Sequence, residues 1–438
     1  MIDVVEKNQQ HLEAYTQTSH SAETGAAWIY PVRREAAARF AQVGFPSRKD
    51  EDWRYTNIAP IVGTPFTLAA NTDVTSDEIS QWSFAGLDGT QLTFINGRFS
   101  AEHSKVDTAS NVKFGSIAEA VRSNPALLEP HLAHYAPVES NPFVALNTAA
   151  LDDGAYVIIP ANVVETNPIH LLFYSAPGTT PTVSHPRVLI IAEPSSQSTI
   201  VESYCGDSGG QYFTNAVTEV IVEGNANIDH YKLQREAKSA FHVATMQVQM
   251  GHNSTFSSHS ISLGGSIVRN DANAALLASG CECTLNGLYT ARENQIMDNH
   301  TSIDHAMPHC NSHEIYKGIL DGNSRGIFNG KIFVREDAQK TDAKQTNQTL
   351  LLSDGAQINT KPQLEIYADD VKCTHGATVG QLSAEALFYL RSRGIPMAQA
   401  QSLLTYAFAS DIVSRIKVDA VREALDLVLL AERNLEGV

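Results

Sequence analysis

Met246-Gln247-Val248-Gln249-Met250-Gly251 alternates apolar and polar side chains with a period of two and then stops on a glycine. That is the pattern of a half-buried β-strand running into a corner. His259-Ser260-Ile261-Ser262-Leu263 and Leu364-Glu365-Ile366-Tyr367-Ala368 alternate in the same way. The glycine recurs as well. Val220-Ile221-Val222 leads to Gly224, Leu276-Leu277 to Gly280 and Leu350-Leu351-Leu352 to Gly355, and strand-like residues resume within a few positions each time. Gly224, Gly251 and Gly280 fall roughly 30 residues apart, a period that predicts the stacked coils of a solenoid. A sandwich also has short strands, but it does not favour a strand–Gly–strand recurrence. The expected fold is therefore mainly β, a parallel β-helix whose coils each bury one face of their strands. Glycine and asparagine would supply the positive φ of its corners. Its last strands would leave an unpaired rim that needs a cap or another chain.

The β-rich texture covers 141–376 and divides the chain into three. Residues 1–140 are mixed. Ala36 to Ala41 begins a helical stretch closed by Gly44 and Pro46, and 116–135 reads as helical, broken at Pro125 and Pro130. Between them, Ser47-Arg48-Lys49-Asp50-Glu51-Asp52-Trp53-Arg54-Tyr55 reads as a solvated charged loop pinned by Trp53. Residues 377–438 are helical. Ser383 can cap a helix through Phe388 and Arg391 to Arg393, with Gly394 at its end. Pro396 opens a second helix carrying Leu403, Leu404, Ala407 and Ile412, and a third runs from Val418 through Leu425, Val428 and Leu429. Each has one apolar stripe, suited to capping the solenoid, binding a partner, or both.

Of the 438 residues 43% are hydrophobic, enough for a large core, and the formal net charge is −17. A surface that acidic repels phosphate backbones and anionic lipids, which argues against nucleic-acid binding. Met1-Ile2-Asp3-Val4-Val5-Glu6-Lys7-Asn8 lacks the basic start and apolar run of a signal peptide. No stretch approaches the roughly 18 apolar residues of a spanning helix. The expectation is a cytoplasmic protein without a membrane. Its five cysteines, Cys205, Cys281, Cys283, Cys310 and Cys373, are then thiols or metal ligands and not a disulfide framework.

Four segments are candidates for chemistry. Gly326-Ile327-Phe328-Asn329-Gly330-Lys331-Ile332 is one residue short of a phosphate-cradling loop and lacks its hydroxyl, so it reads as a coil corner and the chain as one that hydrolyses no ATP. His300, His305, His309, Cys310 and His313 form the densest set of imidazole and thiol groups, which suit zinc, iron or copper. Residues four apart on a solenoid need not share a face, however, and Pro308 interrupts the run. A stand-alone metal-binding protein built on this set is one alternative reading, with His305, His309 and Cys310 its weak candidates. In Cys281-Glu282-Cys283 both sulfurs point the same way in a strand, and core packing is the plainer account. In Lys372-Cys373-Thr374-His375-Gly376-Ala377-Thr378, Cys373 and His375 can also face one way, and a thiolate with an imidazole suits iron. Two ligands are too few for a closed site, so another chain would have to complete it. A partly buried Cys and His at a domain junction is an equal reading. A carbohydrate-active β-helix enzyme is a further alternative, but Asp298 and Asp304 alone make no convincing acid–base pair.

These segments carry a resemblance to a known family. Ser47 to Tyr55, His305-Ala306-Met307-Pro308-His309-Cys310-Asn311-Ser312, Gly326 to Ile332, Cys373-Thr374-His375-Gly376-Ala377-Thr378 and Leu387-Phe388-Tyr389-Leu390-Arg391-Ser392-Arg393-Gly394-Ile395 resemble, in order, the SufB/SufD family of iron–sulfur cluster assembly subunits. The likeness covers most of the chain. It departs from the SufB branch, which usually carries a cysteine cluster near its N-terminus, whereas the first cysteine here is Cys205. SufB-like chains also tend to read His-Glu-Ala-Thr where this one has Thr374-His375-Gly376-Ala377-Thr378. The resemblance implies a right-handed parallel β-helix between helical segments. It implies a scaffold subunit and no enzyme, paired with SufB through the β-helix, with a homodimer as the arrangement open to the isolated chain. It places the ABC-type ATPase SufC on the C-terminal helices, at Phe388, Tyr389, Arg391, Arg393 and Gly394. It implies no cofactor in the isolated chain and an iron–sulfur cluster held transiently at the SufB interface, with His375 participating and Cys373 in the same motif. It assigns nothing to His305 or His309.

Overall fold

The computed structural model describes residues 11–15 and 27–432. From Arg187 onward the chain alternates between two sheets, and each strand pairs in parallel with the strand two positions later. Tyr212–Val222, Phe241–Met250, Ile267–Leu276, Ile296–His305, Arg325–Val334 and Gln357–Ile366 succeed one another in the first sheet. Asn227–Arg235, Thr255–Ser262, Glu282–Ala291, Asn311–Leu320, Asp342–Leu351 and Lys372–Gly380 do so in the second. The result is a parallel β-solenoid of about eight turns with helices before and after it. Partners are in register without a slip: Phe241 lies beside Ile267, then Ile296, then Arg325, then Gln357. A one-residue slip would turn every buried side chain outward, so the register is held by the core itself. Ala216, Val220, Val248, Ala274, Ile303 and Phe328 from one sheet meet Ile200, Ile228, Phe256, Leu285 and Tyr316 from the other in one continuous core.

The corners repeat as regularly as the strands, but the glycines are not what makes them. The left-handed residue is Ser195, Asn225, Asn253, Gly280, His309 and Lys340 in successive coils, each two positions before the next second-sheet strand. Gly224 and Gly251 stand beside it with ordinary φ, and Gly355 belongs to the opposite corner, which accounts for the drifting glycine spacing. Left-handed backbone costs a non-glycine residue about 1 kcal/mol. Here each such residue donates its N–H across to the next coil: Ser195 to Gly224 O, Asn225 to His252 O, Asn253 to Ser279 O, His309 to Gln339 O and Lys340 to Asp370 O. The corner is thus a hydrogen-bond ladder of its own. A second correction concerns Gly326 to Ile332, which is no corner. It lies inside the Arg325–Val334 strand, where a Cβ on Gly330 would come 2.3 Å from the Gln345 amide nitrogen. The glycine is there to admit a long polar side chain from the opposite sheet.

The first end of the solenoid is closed. Arg98–Lys105 and Lys113–Ser116 cap the two sheets as antiparallel strands. The helix Ile29–Val43, ended at Gly44, packs with Pro142–Ala149 over the outside of the first sheet. Beneath that cover Arg187 and Glu219, both fully buried, approach to 2.7 Å. Arg187 also donates to Asn147 and Thr148, and Glu219 accepts the backbone N–H groups of Ala133, Tyr135 and Ala136. The pair ties the leading segment to two adjacent coils. At the far end, Ala384–Ser392, Met397–Val413 and Asp419–Glu432 follow the last strand. Ile412, Val413, Ile416, Val421, Leu425 and Leu429 lie on the outer face of the second sheet against Tyr231, Leu233, Ile261, Leu288 and Ile319. Lys317–Asp411 at 2.7 Å and Lys417–Asp229 at 2.9 Å pin the edges of that contact.

Removing one partner of a buried ion pair strands the other charge. Arg187→Met is expected to lower unfolding stability in urea by about 3–5 kcal/mol. Arg187→Met combined with Glu219→Gln is expected to lose less than Arg187→Met alone. Equal losses for the two variants would show that the pair does not hold the leading segment.

Candidate functional site

The second end of the solenoid has no cap among the described residues. Gln357–Ile366 pairs only with Arg325–Val334, and Lys372–Gly380 only with Asp342–Leu351. The register fixes what these edge strands present. Ala343, Gln345, Asn347 and Thr349 are buried and face the lumen, and their partners one coil on are Cys373, His375, Ala377 and Val379. Opposite them, Ile358, Thr360, Pro362, Leu364 and Ile366 continue the inward positions of Gly326, Phe328, Gly330, Ile332 and Val334. No further coil covers these residues, so the open core is a surface. His375 is exposed, and Ile366 and Val379 are large apolar side chains left in water. Cys373 is half-buried against the Ile332–Ala343 cluster, and that burial pushes its thiol up. Cys373 and His375 therefore stand side by side on one edge, facing inward at a mouth that is open. A thiolate and an imidazole could supply two ligands where a cluster takes about four.

The helices beyond the rim leave a second surface. Ala384–Ser392 is capped by the Ser383 hydroxyl and buries none of its residues. Phe388 is 75% exposed, Tyr389 58% and Leu427 68%. The Arg393 guanidinium stands 5.0 Å over the Tyr389 ring, Gly394 takes φ 87° at the helix end, and Arg391 is also exposed. A cleft of about 460 Å³, lined by Leu351, Leu352, Leu387, Gln401 and Thr405 among others, separates these helices from the last full turns of the solenoid.

The histidine-rich run does not converge. His305 points into the lumen with Nε2 2.9 Å from the Ser312 hydroxyl. His309 is a corner residue at φ 61°, and His313 lies exposed on the outer face of the second sheet. His300 sits outside the first sheet, 3.1 Å from Asp298. Among the described residues no group of three or more His, Cys, Asp or Glu side chains is placed to hold a metal ion. Cys310 stacks directly on Cys281 in the corner column, and both sulfurs lie near the Ala278 carbonyl, at 3.2 and 3.0 Å. Their mutual hydrogen bond lowers the Cys281 thiol to about 7 and pushes that of Cys310 up. Cys283 is inside the core.

Asp298 is a structural ion. Burial alone would favour its acid form, but Arg269 and His300 hold it well below the usual carboxylate range. Arg269 also donates to the Asp52 carbonyl and lies 4.3 Å from the Trp53 ring, while Thr56 donates to Asp298. The charged Ser47–Tyr55 segment is thus a clamp on the first sheet, pinned by Trp53. Asp304 is engaged by Arg335 at 2.6 Å.

One feature of the lumen escaped sequence reasoning. Glu202, His230, Lys232, Glu236 and His242 are all buried between the sheets in three adjoining coils. Glu202 lies 3.3 Å from His230 and Glu236 2.8 Å from His242, and these partners keep both carboxyls below their ordinary range despite burial. Lys232 is lowered to about 8 by burial and lies 3.0 Å from His242. Ile228, His230, Lys232 and Gln234 alternate in the chain with Asp229, Tyr231 and Leu233. The polarity of His230, Lys232 and Gln234 marks that face as outward, whereas Tyr231 and Leu233 actually face out, under the C-terminal helices. The signal was the apolar residues on the second face of that strand, which need a cover.

Known proteins resemble this chain along most of its length. The family described as SUF system FeS cluster assembly, SufBD core domain, matches residues 173–408, and the SufBD protein N-terminal region matches residues 5–171. An iron–sulfur cluster assembly SufBD family protein of Synechocystis is 32% identical over 427 residues, covering 95% of this chain and 94% of its own length. The iron–sulfur cluster assembly protein SufD of Escherichia coli is 29% identical over 94% of both chains. That of Bacillus subtilis is 25% identical over 98% of both.

The buried histidines make acid stability predictable. Burial lowers His305 and His259 to about 4 and His170 and His185 to about 3, so each is neutral in the folded chain down to those values. The unfolded chain takes up protons from about pH 6.5 downward. Between about 6.5 and 4 the unfolded state binds more protons, and stability falls as pH falls, by up to about 1.4 kcal/mol per pH unit for each histidine. Urea midpoints measured across that window should drop, and His305→Gln should make the drop shallower. An unchanged slope in that variant would place the His305 imidazole in contact with water.

Proposed function

This chain belongs to the SufB/SufD family of iron–sulfur cluster assembly proteins, and from that membership we propose that it acts as a SufD-type scaffold whose open rim is half of a cluster-assembly site. The observation that carries the reading is the pair of unpaired edge strands with Cys373 and His375 facing inward at the mouth. A rim of this kind is stable when a second chain continues both sheets. The new backbone hydrogen bonds contribute roughly 0.5–1.5 kcal/mol each, and the apolar side chains Ile366, Leu364 and Val379 pass from water into a shared core. The occupant proposed here is the homologous SufB, whose cysteine would complete the ligand set. Iron and sulfide are the cargo of this site and the cluster its product.

The C-terminal helices would receive the ATPase SufC. Phe388 and Tyr389 project from a helix that buries nothing, beside Arg391, Arg393 and Gly394, as an aromatic and arginine-rich hot spot does. The chain has no phosphate-cradling loop in its nearest match, because Gly326 to Ile332 is strand. ATP would therefore act through the partner. Movement of the helical feet would be transmitted where Ile412, Val413 and Leu425 lie on the back of the second sheet, whose last strand carries His375. A ligand shifts such an equilibrium only through contacts that differ between the two states. Here those contacts are the helix–sheet face and the rim. The scaffold role in the cytoplasm assigns the chain no turnover of its own.

Two measurements test this. His375→Ala is expected to leave co-purification with SufB and SufC intact while cluster yield on reconstitution falls at least severalfold; wild-type yield would remove His375 from the mechanism. Phe388→Ala and Tyr389→Ala should weaken capture of the ATPase about tenfold or more, as loss of an aromatic hot spot does, with the melting temperature unchanged because both side chains are exposed. Undiminished capture would place the ATPase elsewhere.

A further inference from the structure

Glu314 is a buried carboxyl without a countercharge. It lies on the lumen side of Asn311–Leu320, 1% exposed. Cys283 and Leu285 face it from the coil before, Gln345 from the coil after, Thr301 from the opposite sheet, and Tyr316 from its own strand. The titratable neighbours, Cys283 and Tyr316, are both pushed up by burial and stay neutral. No Lys, Arg or His among the described residues is paired with Glu314. Burial therefore raises its carboxyl to about 7, against the weaker pull of Thr301 and Gln345. An isolated carboxylate in such a place sheds its charge, and near neutrality it exchanges a proton.

Its connections lead toward the rim. The Gln345 amide donates to Glu314 Oε2 at 2.8 Å, and the next residue in the same register column is His375. Glu314 Oε1, Gln345 Oε1 and Asn299 Nδ2 have no partner among the described residues, although all three side chains are buried. Buried polar atoms left without partners are the usual setting for ordered water. Gly330, whose Cβ would collide with the Gln345 amide, keeps the space for that side chain. In the same lumen Asn299, Asn270 and Lys232 are joined by hydrogen bonds of 3.2 and 2.8 Å.

A thiol or imidazolium that takes a metal gives up a proton. If a second chain seals the rim, as the proposed function requires, that proton is cut off from bulk water on the outer side. We propose that Glu314 is the internal proton acceptor of the rim, reached from the mouth through the Gln345 amide and water held in the lumen. The balance is simple: a protonated ligand and a divalent metal ion give a metal-bound ligand and a proton, and the Glu314 carboxylate becomes the carboxylic acid. Opening of the interface returns the proton to solvent. Glu314 is in this sense a positioning and proton-holding group, since it touches no metal.

The inference rests on the rim reading, and the experiment separates the two. In the isolated full-length chain, infrared difference spectra across a pH titration should show one carboxylic-acid carbonyl band lost near pH 7, absent in Glu314→Gln. A band titrating only in the ordinary carboxylate range overturns the proposal. In the complex with SufB and SufC, wild-type cluster assembly should slow as pH falls through 7. Glu314→Gln, which keeps the Gln345 hydrogen bond, should be about tenfold slower above pH 7 and flat in pH, and Glu314→Asp should restore part of the pH dependence. If Glu314→Gln assembles clusters with the wild-type rate and pH profile while His375→Ala is impaired, the relay fails and the rim stands. If His375→Ala is unimpaired, both fail. Melting curves of the two Glu314 variants exclude misfolding as the cause.

Discussion

Every coil of this molecule needs a coil on each side. A strand in a parallel stack satisfies half of its backbone groups backward and half forward, and its inward side chains are covered only when the next turn lies over them. The first end meets this requirement inside the chain, with antiparallel strands on both sheets and helices outside them. The second end does not, among the described residues. Two ten- and nine-residue strands are left with free edges, and an open core lies between them. Proteins ordinarily blunt such edges with charge, proline or a cover. Here Pro362 interrupts one strand, but Lys372–Gly380 contains no proline and presents Ala377, Val379 and His375 inward. The exposed end has the character of a core cut in half, which is the character of an obligate interface.

The solenoid was legible because its constraint is written in a period. Alternation at Met246–Met250 identifies a strand and the returning glycines the coil period, and the helix boundaries at Ser383, Gly394 and Pro396 follow from capping chemistry and stand where the structure has them. The corners were legible only in outline. Asn225, Asn253 and Gly280 carry the left-handed backbone as expected, whereas Ser195, His309 and Lys340 do so because the ladder of N–H donors compensates residues that local preference disfavours. Gly326 and Gly330 were misplaced for the converse reason. A glycine pair reads as a turn, whereas these two make room in a strand for side chains that arrive from elsewhere in the sequence, Leu320 and Gln345.

The same limit applies to the site. That Cys373 and His375 can share a face is a local property of an extended segment and could be read directly. That this face is the open mouth of the lumen depends on where the stack ends. The lumen charges were hidden by the usual association of polar with outward. His230 and Lys232 turn inward because Tyr231 and Leu233 are needed outside, as the floor on which Ile412, Val413 and Leu425 pack. One strand thus serves two cores, and its polar face is left to the lumen, where Glu202, Glu236 and His242 satisfy it.

This arrangement also gives the proposed coupling of helices and rim a short path. A sheet in a close-packed solenoid has no slack: its side chains interdigitate on both faces and its strands are locked in register. A force on Ile412 or Leu425 is applied to the outward side chains of Tyr231, Ile261, Leu288 and Ile319, which span four successive strands of the second sheet. The inward neighbours on those strands are the lumen groups, and the sheet ends two strands further on with Cys373 and His375. The mouth is the part of the stack where, among the described residues, no further coil lies against the two sheets. In the proposed reading, partners at the helices and at the rim would act on one mechanical element, and the state of that element a partner prefers would be the state in which Cys373 and His375 are presented.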